Sequence, residues 1–450
     1  MTSTLDLLGL RRRAAMSLFG ADGTLRRRLQ MGFLWNIVAA VFNQGSTFLL
    51  GLVVANIVGR EQFGVYALLQ STIMLFANVA QFAMGLTTTK YVAEFRSSDK
   101  ARAARVLAAS LSVATVAGVA AAAIVWLAAP AIAGRILGHA EIASLIRIGA
   151  PAIAFIVVAG VCTGGLAGFE NFRYIAICGV ISGIVYIGAG AFAAVQWGLP
   201  GVVASVAVSA AIQAAILLVL VLREARRQGV TPGIEAFRRI PLEMPLLTGF
   251  AFPAALAGFS TLPTLWIVNA VVARQAAGLT EVALFTAANS IRLIVTFVPY
   301  LICGVGASVL NNYRGANDGD GYRRAFWANL VVVASTTVLA ILVVMTGSSL
   351  ILRAFGRGFA EGRGALLIII AATLPEALSV AFYQIVQARE RMWSSLFRIV
   401  LPRDSSVIVS ALLLVPRYGA SGACMAYLIG STVSLLTILL LVRELGISPR

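Results

Sequence analysis

Twelve apolar runs divide this chain, each about 20 residues or longer and almost free of charge. Their limits fall at 31–57, 64–89, 106–129, 147–167, 175–196, 201–222, 247–272, 281–310, 327–347, 364–387, 396–415 and 419–442. About 20 apolar residues in helical form cross the hydrocarbon core of a bilayer. Backbone inside lipid must satisfy its own hydrogen bonds, so only helices and closed barrels span, and these runs are too long for barrel strands. The pattern predicts an all-α polytopic membrane protein with twelve transmembrane helices. Composition agrees: the 450 residues are 60% hydrophobic and 12% charged, whereas a soluble domain is about half apolar and a quarter charged.

The net charge of +17 would suggest a nucleic-acid partner in a soluble protein. Here the cations flank the runs, where they fix topology instead, so no nucleic-acid partner is expected. With the N-terminus and the even-numbered loops on one side, 25 of the 35 Lys and Arg residues lie there and 8 lie opposite. The remaining two, Arg292 and Arg403, fall inside runs. The positive-inside rule places both termini in the cytoplasm. The first 30 residues carry the arginine triplets Arg11–Arg13 and Arg26–Arg28 but no apolar stretch with a cleavage site. They read as a cytoplasmic segment in which Leu5–Phe19 lies on the membrane surface. Cys162, Cys178, Cys303 and Cys424 all sit in apolar runs without ligand-like spacing, so neither a metal nor a cofactor is expected.

The chain also repeats itself. Arg135 aligns with Arg353 and Gly138 with Gly356 at an offset of 218, and Glu170 with Glu390 at 220. Gly198 aligns with Gly419 and Gly201 with Gly422 at 221, and Arg223-Glu224 corresponds to Arg443-Glu444. Phe63–Leu69 matches Val282–Ala288, with Tyr66 over Phe285. Six spans per unit insert both units the same way up, as parallel repeats. The expected organisation is a cytoplasmic segment 1–30, a six-helix bundle 31–222, a cytoplasmic linker 223–246, a second six-helix bundle 247–442 and a cytoplasmic tail 443–450, with a central cavity between the bundles. The linker carries five arginines together with Gly229, Pro232, Gly233, Pro241 and Pro245. It reads as a strap on the inner face that lets one bundle swing against the other.

Two stretches carry a family resemblance. Gly59, Phe63, Gly64 and Tyr66 follow the first run, and Lys90–Glu94 (KYVAE) leaves the second. With twelve spans and the six-plus-six repeat, residues of about 30–445 resemble the polysaccharide transporters, the O-antigen and exopolysaccharide (Wzx-type) flippases. Their superfamily also holds multidrug exporters and the fourteen-span lipid II flippases. The resemblance implies a flippase, not an enzyme, in the bacterial inner membrane. It implies transfer of an undecaprenyl-pyrophosphate-linked oligosaccharide across about 30 Å of hydrocarbon. Membrane lipids, and the polysaccharide polymerase and export machinery, are its implied partners. A multidrug exporter of the same superfamily is the alternative reading. A glycan polymerase or ligase fits less well, because the external stretches Pro130–Arg147 and Ser348–Arg363 are short and hold no catalytic constellation.

Such a substrate asks for cations, hydrogen-bonding groups and a lateral opening. Charges inside spans are costly and mark function. Arg292 is a candidate for the diphosphate, since guanidinium binds phosphate bidentately; a structural ion pair is the competing reading. Arg403 and Asp404 follow Pro402, and neighbours on a helix point about 100° apart and need not pair; Arg403 is a second candidate cation for the substrate, with snorkelling from a helix start as the alternative. Asp404 is either an N-terminal helix anion or, with Glu376, an ion-coupling group. Glu376, after Pro375 in the middle of the tenth run, either pairs with Arg292 or Arg403, takes a proton or sodium ion, or stays neutral beside the proline. Asn43, Gln44, Asn78, Gln81, Asn269 and Asn289 are candidate glycan or headgroup contacts, with interhelical hydrogen bonding as the alternative. Lys90 is placed to meet an incoming diphosphate, while Glu94, Arg96, Lys100, Arg102 and Arg105 face headgroups. His139, the single histidine, lies in an outward loop with no catalytic partner. Glycines such as Gly85, Gly160, Gly164 and Gly188 are expected to allow close packing, and Pro253, Pro263 and Pro299 to break spans 7 and 8.

Overall fold

A computed structural model describes residues 34–35, 37–231, 233, 243, 261–316, 318–388 and 392–444. Among these the chain is all-helical. The N-terminal half contains α1 (Ile37–Val58), α2 (Arg60–Gln81), α3 (Met84–Phe95), α4 (Lys100–Ala131, continued by a π turn, Ile132–Leu137), α5 (Ala143–Gly149), α6 (Pro151–Gly168) and α7 (Phe172–Arg227). The C-terminal half contains α8 (Thr261–Ala273), α9 (Gly278–Gly315), α10 (Gly319–Ala354), α11 (Arg363–Ala371), α12 (Thr373–Ala388), α13 (Met392–Ser395) and α14 (Leu401–Glu444), which a π turn (Leu396–Val400) precedes. Asp99, Asn171 and Asp318 start α4, α7 and α10 by accepting a hydrogen bond from the backbone N–H three residues on, which satisfies an otherwise orphaned donor.

Nine stretches among the described residues are long and apolar enough to cross a membrane. Two of them, Phe172–Arg227 and Trp393–Glu444, hold 56 and 52 residues, more than twice the roughly 20 needed for one crossing. Each is interrupted by a glycine with positive φ: Gly198 at φ 59°, ψ −147° and Gly419 at φ 53°, ψ −129°. An L side chain rarely adopts this conformation, so glycine marks the kink. These are two of the positions that the sequence repeat pairs. A second pair, Gly138 and Gly356, also shares positive φ, at 80° and 123°.

The second apolar run departs from the expected single helix. Phe82 (φ 44°, ψ 45°) and Ala83 (φ 55°, ψ 16°) are consecutive left-handed residues, and they split it into α2 and α3. Beside this break, Gly160 leaves room for the Gln81 side chain, and Gly85 and Gly164 bring α3 and α6 into backbone contact. Thr89 crosses that contact, its Oγ1 donating to the Gly164 carbonyl at 3.0 Å. Gly188 makes no such contact, having nothing within 4 Å of where a Cβ would lie. Pro299 does not break its span either: α9 runs through it from Gly278 to Gly315. Pro263 lies within α8, and Pro253 lies outside the described residues.

The halves meet at one end. Asn56 Nδ2 donates to the Ala354 carbonyl at 2.6 Å, and Arg60 Nη1 to the Gly358 carbonyl at 2.8 Å and to Glu361 at 2.5 Å. Phe48 and Phe63 pack on Phe355 and Phe359. Across the interface, His139 Nε2 is 3.0 Å from the Ala273 carbonyl, and Trp266 Nε1 donates to Thr72 at 3.0 Å. Gly64 lies directly on the Leu279 backbone, where a Cβ would overlap it. All of these contacts involve the odd-numbered loops or the spans next to them. One apolar core joins both halves there, whereas a second, holding Cys303, Leu310, Phe326, Ile385 and Ile438, belongs to the C-terminal half alone. Among the described residues the halves are thus sealed at the odd-loop end, and their cores separate towards the other.

At that other end the basic surface is tied to the protein rather than left to headgroups. Arg96 pairs with Glu170, and Arg105 and Arg102 reach Glu243 at 3.0 and 3.4 Å. Glu243 belongs to the strap; Pro232, residues 234–242 and residues 244–246 lie outside the described residues.

Candidate functional site

A cavity of about 520 Å³ lies inside the C-terminal half, between its two apolar clusters. Its walls come from α8, α9, α12, α14 and the π turn before α14. The expected central cavity between bundles is therefore not where the charged groups gather. Arg292 projects from α9. Glu376 stands in the first turn of α12 and Asp404 in the first turn of α14. The π turn Leu396–Val400 runs directly into α14, so Asp404 lies within a continuous helical stretch, Trp393–Glu444. Ala372, between Ala371 and Thr373, keeps right-handed helical geometry (φ −64°, ψ −20°), so Glu376 stays within the single apolar stretch Gly358–Gln387, in the mid-span position expected of it.

Arg292 Nη1 meets Glu376 at 2.5 Å, and Arg292 Nε donates to Asn289 Oδ1 at 2.9 Å. Its guanidinium lies 5.3 Å from the centre of the Tyr427 ring, within range of a cation–π attraction. Arg403 Nε meets Asp404 Oδ1 at 2.8 Å, and Arg403 Nη2 donates to Thr261 at 3.0 Å. The neighbours Arg403 and Asp404 therefore do pair: the flexible arginine stem folds back over the 100° that separates them on the helix. Asp404 Oδ2 is buried without a hydrogen-bond partner. Two guanidinium groups and two carboxylates cancel formally, so each cation is held by its own anion. A proton on either carboxylate would leave an arginine fork available to an incoming anion.

The cavity is asymmetric between repeats. At offsets of 219–221 the positions matching Arg292, Glu376, Arg403 and Asp404 are Ile73, Ile156, Ser182 and Gly183. Of the eleven residues read from the sequence as candidates, Arg292, Glu376, Arg403 and Asp404 line this cavity. Asn289 is buried and acts on Arg292 rather than on the open space. Asn269 is buried on α8, with Oδ1 unpartnered. Asn43 and Asn78 are exposed on α1 and α2, Gln44 is half-buried, and Gln81 sits at the α2–α3 break. Lys90 is exposed on α3, its Nζ 4.9 Å from the Tyr91 ring centre. These last five residues belong to the N-terminal half, away from the cavity walls.

The cavity also has walls that sequence reasoning missed. Tyr427, Ser431 and Ser434 recur at i, i+4 and i+7 on α14, and Glu376, Ser379, Tyr383 and Gln387 share one face of α12. Polar residues at helical spacing inside apolar runs were the available signal. Gln384 Nε2 donates to the Cys303 carbonyl at 2.9 Å, while its Oε1 is unpartnered. Among the described residues no group of three or more His, Cys, Asp or Glu side chains is placed to hold a metal ion.

The model of the polysaccharide biosynthesis protein family matches residues 29–305. That is more than half of the chain. The protein belongs to the polysaccharide biosynthesis protein family. No curated protein matches it. Its fold is similar to the inward-facing conformation of a multidrug resistance MATE family transporter of the MOP superfamily, with TM-score 0.74 at 16% identity over 91% of this chain and 97% of that one. A MOP superfamily transporter from Pyrococcus furiosus gives 0.65 at 16% identity over 93% and 94%. The outward-facing conformation of a MATE family transporter gives 0.63 at 17% identity over 93% and 94%. This member of the polysaccharide biosynthesis family thus has a MATE-like fold.

Proposed function

We propose that the protein is a flippase that moves an undecaprenyl-pyrophosphate-linked oligosaccharide across the bacterial inner membrane by alternating access. The observation that carries this reading is the pair of arginines, Arg292 and Arg403, each paired with a carboxylate, Glu376 and Asp404, in one cavity among the apolar helices. In the proposed cycle a proton or sodium ion on Glu376 or Asp404 releases its arginine. The freed fork then binds the diphosphate, and return of the carboxylate ejects it. Lys90, exposed on α3, receives the headgroup at the inner face. Asn43, Gln44, Asn78 and Gln81 meet the glycan along the N-terminal side of the cleft, Asn269 acts from the C-terminal side, and Asn289 contributes there by holding Arg292.

The proposed architecture is twelve spans in two parallel six-helix bundles, with both termini and the strap in the cytoplasm. The glycine kinks at Gly198 and Gly419, which split two long helices into two crossings each, support that count, as does the short apolar helix Thr261–Ala273. The sealed odd-loop end is then the outer end, and the conformation faces inward. The higher TM-score to an inward-facing relative supports that assignment.

The second reading is export of organic cations. Tyr300, Tyr383 and Tyr427 beside Glu376 and Asp404 favour it, because aromatic faces and carboxylates attract cations. A bacterial host depleted of its own oligosaccharide flippase separates the two. Restored glycan assembly at the outer leaflet supports the flippase. Unrestored assembly, with efflux of a cationic dye instead, supports the exporter.

A further inference from the structure

The single histidine sits at the seal between the halves. His139 lies between the π turn Ile132–Leu137 and the 3₁₀ turn Ala140–Ile142 of the N-terminal half. Its Nδ1 is 2.9 Å from a carboxylate oxygen of Glu141, and its Nε2 is 3.0 Å from the carbonyl oxygen of Ala273. Both partners are acceptors. A neutral imidazole has one N–H and one lone pair, so it satisfies one of them and turns its lone pair on the other. Only the imidazolium donates to both. Ala273 is moreover the last residue of α8, and a helix C-terminus favours positive charge.

Arg135, Arg147 and Arg274 are further charged groups near this joint. Arg274 Nη1 donates to the Arg135 carbonyl at 3.5 Å, and the Arg274 stem packs near Gly138. Arg147 lies over the Trp126 ring at 5.1 Å, turned towards α4. The joint is one of two related ones. Asn56 on Ala354 and Arg60 on Gly358 seal the other side, and Asn56 and Arg274 differ by 218 positions, as do Gly138 and Gly356. The Arg60–Glu361 joint is an arginine–carboxylate pair, whereas the His139 joint turns on an imidazole.

We propose that His139 is a proton-binding site that latches the sealed end of the protein: protonation on that face ties the 132–142 turns of the N-terminal half to the C-terminus of α8. Histidine changes charge between about pH 5 and 8. The sealed conformation is therefore favoured as pH falls through that range and loosened as it rises. If the sealed end faces outward, as proposed above, external acidity returns the transporter to its inward-facing state. This proton site is separate from Glu376 and Asp404, and its existence does not depend on the substrate.

The test places spin labels at Ile136→Cys and Ala276→Cys, both exposed and on opposite halves, in nanodiscs. The four native cysteines are buried. The short-distance population should rise roughly two- to fivefold between about pH 8 and 5, the size expected of one cation at a helix end. His139→Gln offers an uncharged amide that cannot take up a proton in this range and should abolish the pH dependence, and His139→Arg should leave the seal closed at every pH. Glu141→Gln, a second and milder variant, should reduce the response. A wild-type distance distribution that ignores pH overturns the latch, as does His139→Gln with an unchanged response. Vesicles with pH set separately on each side test the orientation alone: a response only to lumenal pH in right-side-out vesicles contradicts the outward assignment and leaves the latch intact.

Discussion

Arg292 and Glu376 stand 84 positions apart in the chain and meet at 2.5 Å inside the C-terminal half. Their side chains are 11% and 22% exposed, so the pair is substantially desolvated. Removing one partner of such a pair costs roughly 3–5 kcal/mol, because the other charge is left alone, whereas replacing both with apolar residues is often neutral. Arg292→Met and Glu376→Met should each lower the thermal midpoint in detergent, and the double variant should recover it. Transport should stay lost in all three. Recovery of transport in the double variant would reduce the pair to a structural strut.

The seal between Arg60 and Glu361 is a surface pair with Glu361 73% exposed, so its contribution is under about 1 kcal/mol. Glu361→Ala should therefore loosen the sealed end only about two- to fivefold. Reversing both charges, Arg60→Glu with Glu361→Arg, should restore it only in part, because a carboxylate at position 60 cannot donate to the Gly358 carbonyl. Solvent labelling of a cysteine introduced at Asn56 reads the change.

Gly64 makes a steeper demand, since a Cβ would overlap the Leu279 backbone. Gly64→Val should prevent the seal from closing and hold the protein in the opposite conformation. Folding should survive, because the strain is relieved by separating the halves. Equal labelling of the sealed end in wild type and variant would contradict this.

How much of this was legible in the sequence follows from which interactions are local. Apolar runs and flanking arginines report directly on the membrane, so the helical class and the charged candidates Arg292, Glu376, Arg403 and Asp404 could be read. The pairing of Gly198 with Gly419 could be read too, because each supplies the same positive φ. The α2–α3 break could not, since Phe82 and Ala83 carry no glycine or proline signal, and packing on Gly160 accompanies the bend. Nor could the location of the cavity. It depends on which helix faces converge, and Tyr300 and Tyr427 are apolar-run tyrosines like any others until α9 and α14 meet.

The strap gives a prediction about rate. Glu243 is 4% exposed in its side chain and answers to Arg102 and Arg105. Glu243→Ala leaves both arginines without that anion and frees the strap from α4. Turnover should change several-fold while the preference among substrates stays the same, since no strap residue among those described lines the cavity. Competition between two lipid-linked glycans measures both quantities in one assay. A changed preference would assign the strap to recognition.

The central claim is best tested by flipping itself. The purified protein in liposomes should carry a fluorescent undecaprenyl-pyrophosphate oligosaccharide between leaflets, read by accessibility to a membrane-impermeant quencher. Arg292→Ala together with Arg403→Ala should reduce the rate at least tenfold. The account predicts protein-dependent flipping that collapses in this variant and responds to the ion gradient through Glu376. Absence of flipping by the folded wild-type protein in liposomes that do accumulate an organic cation would contradict it.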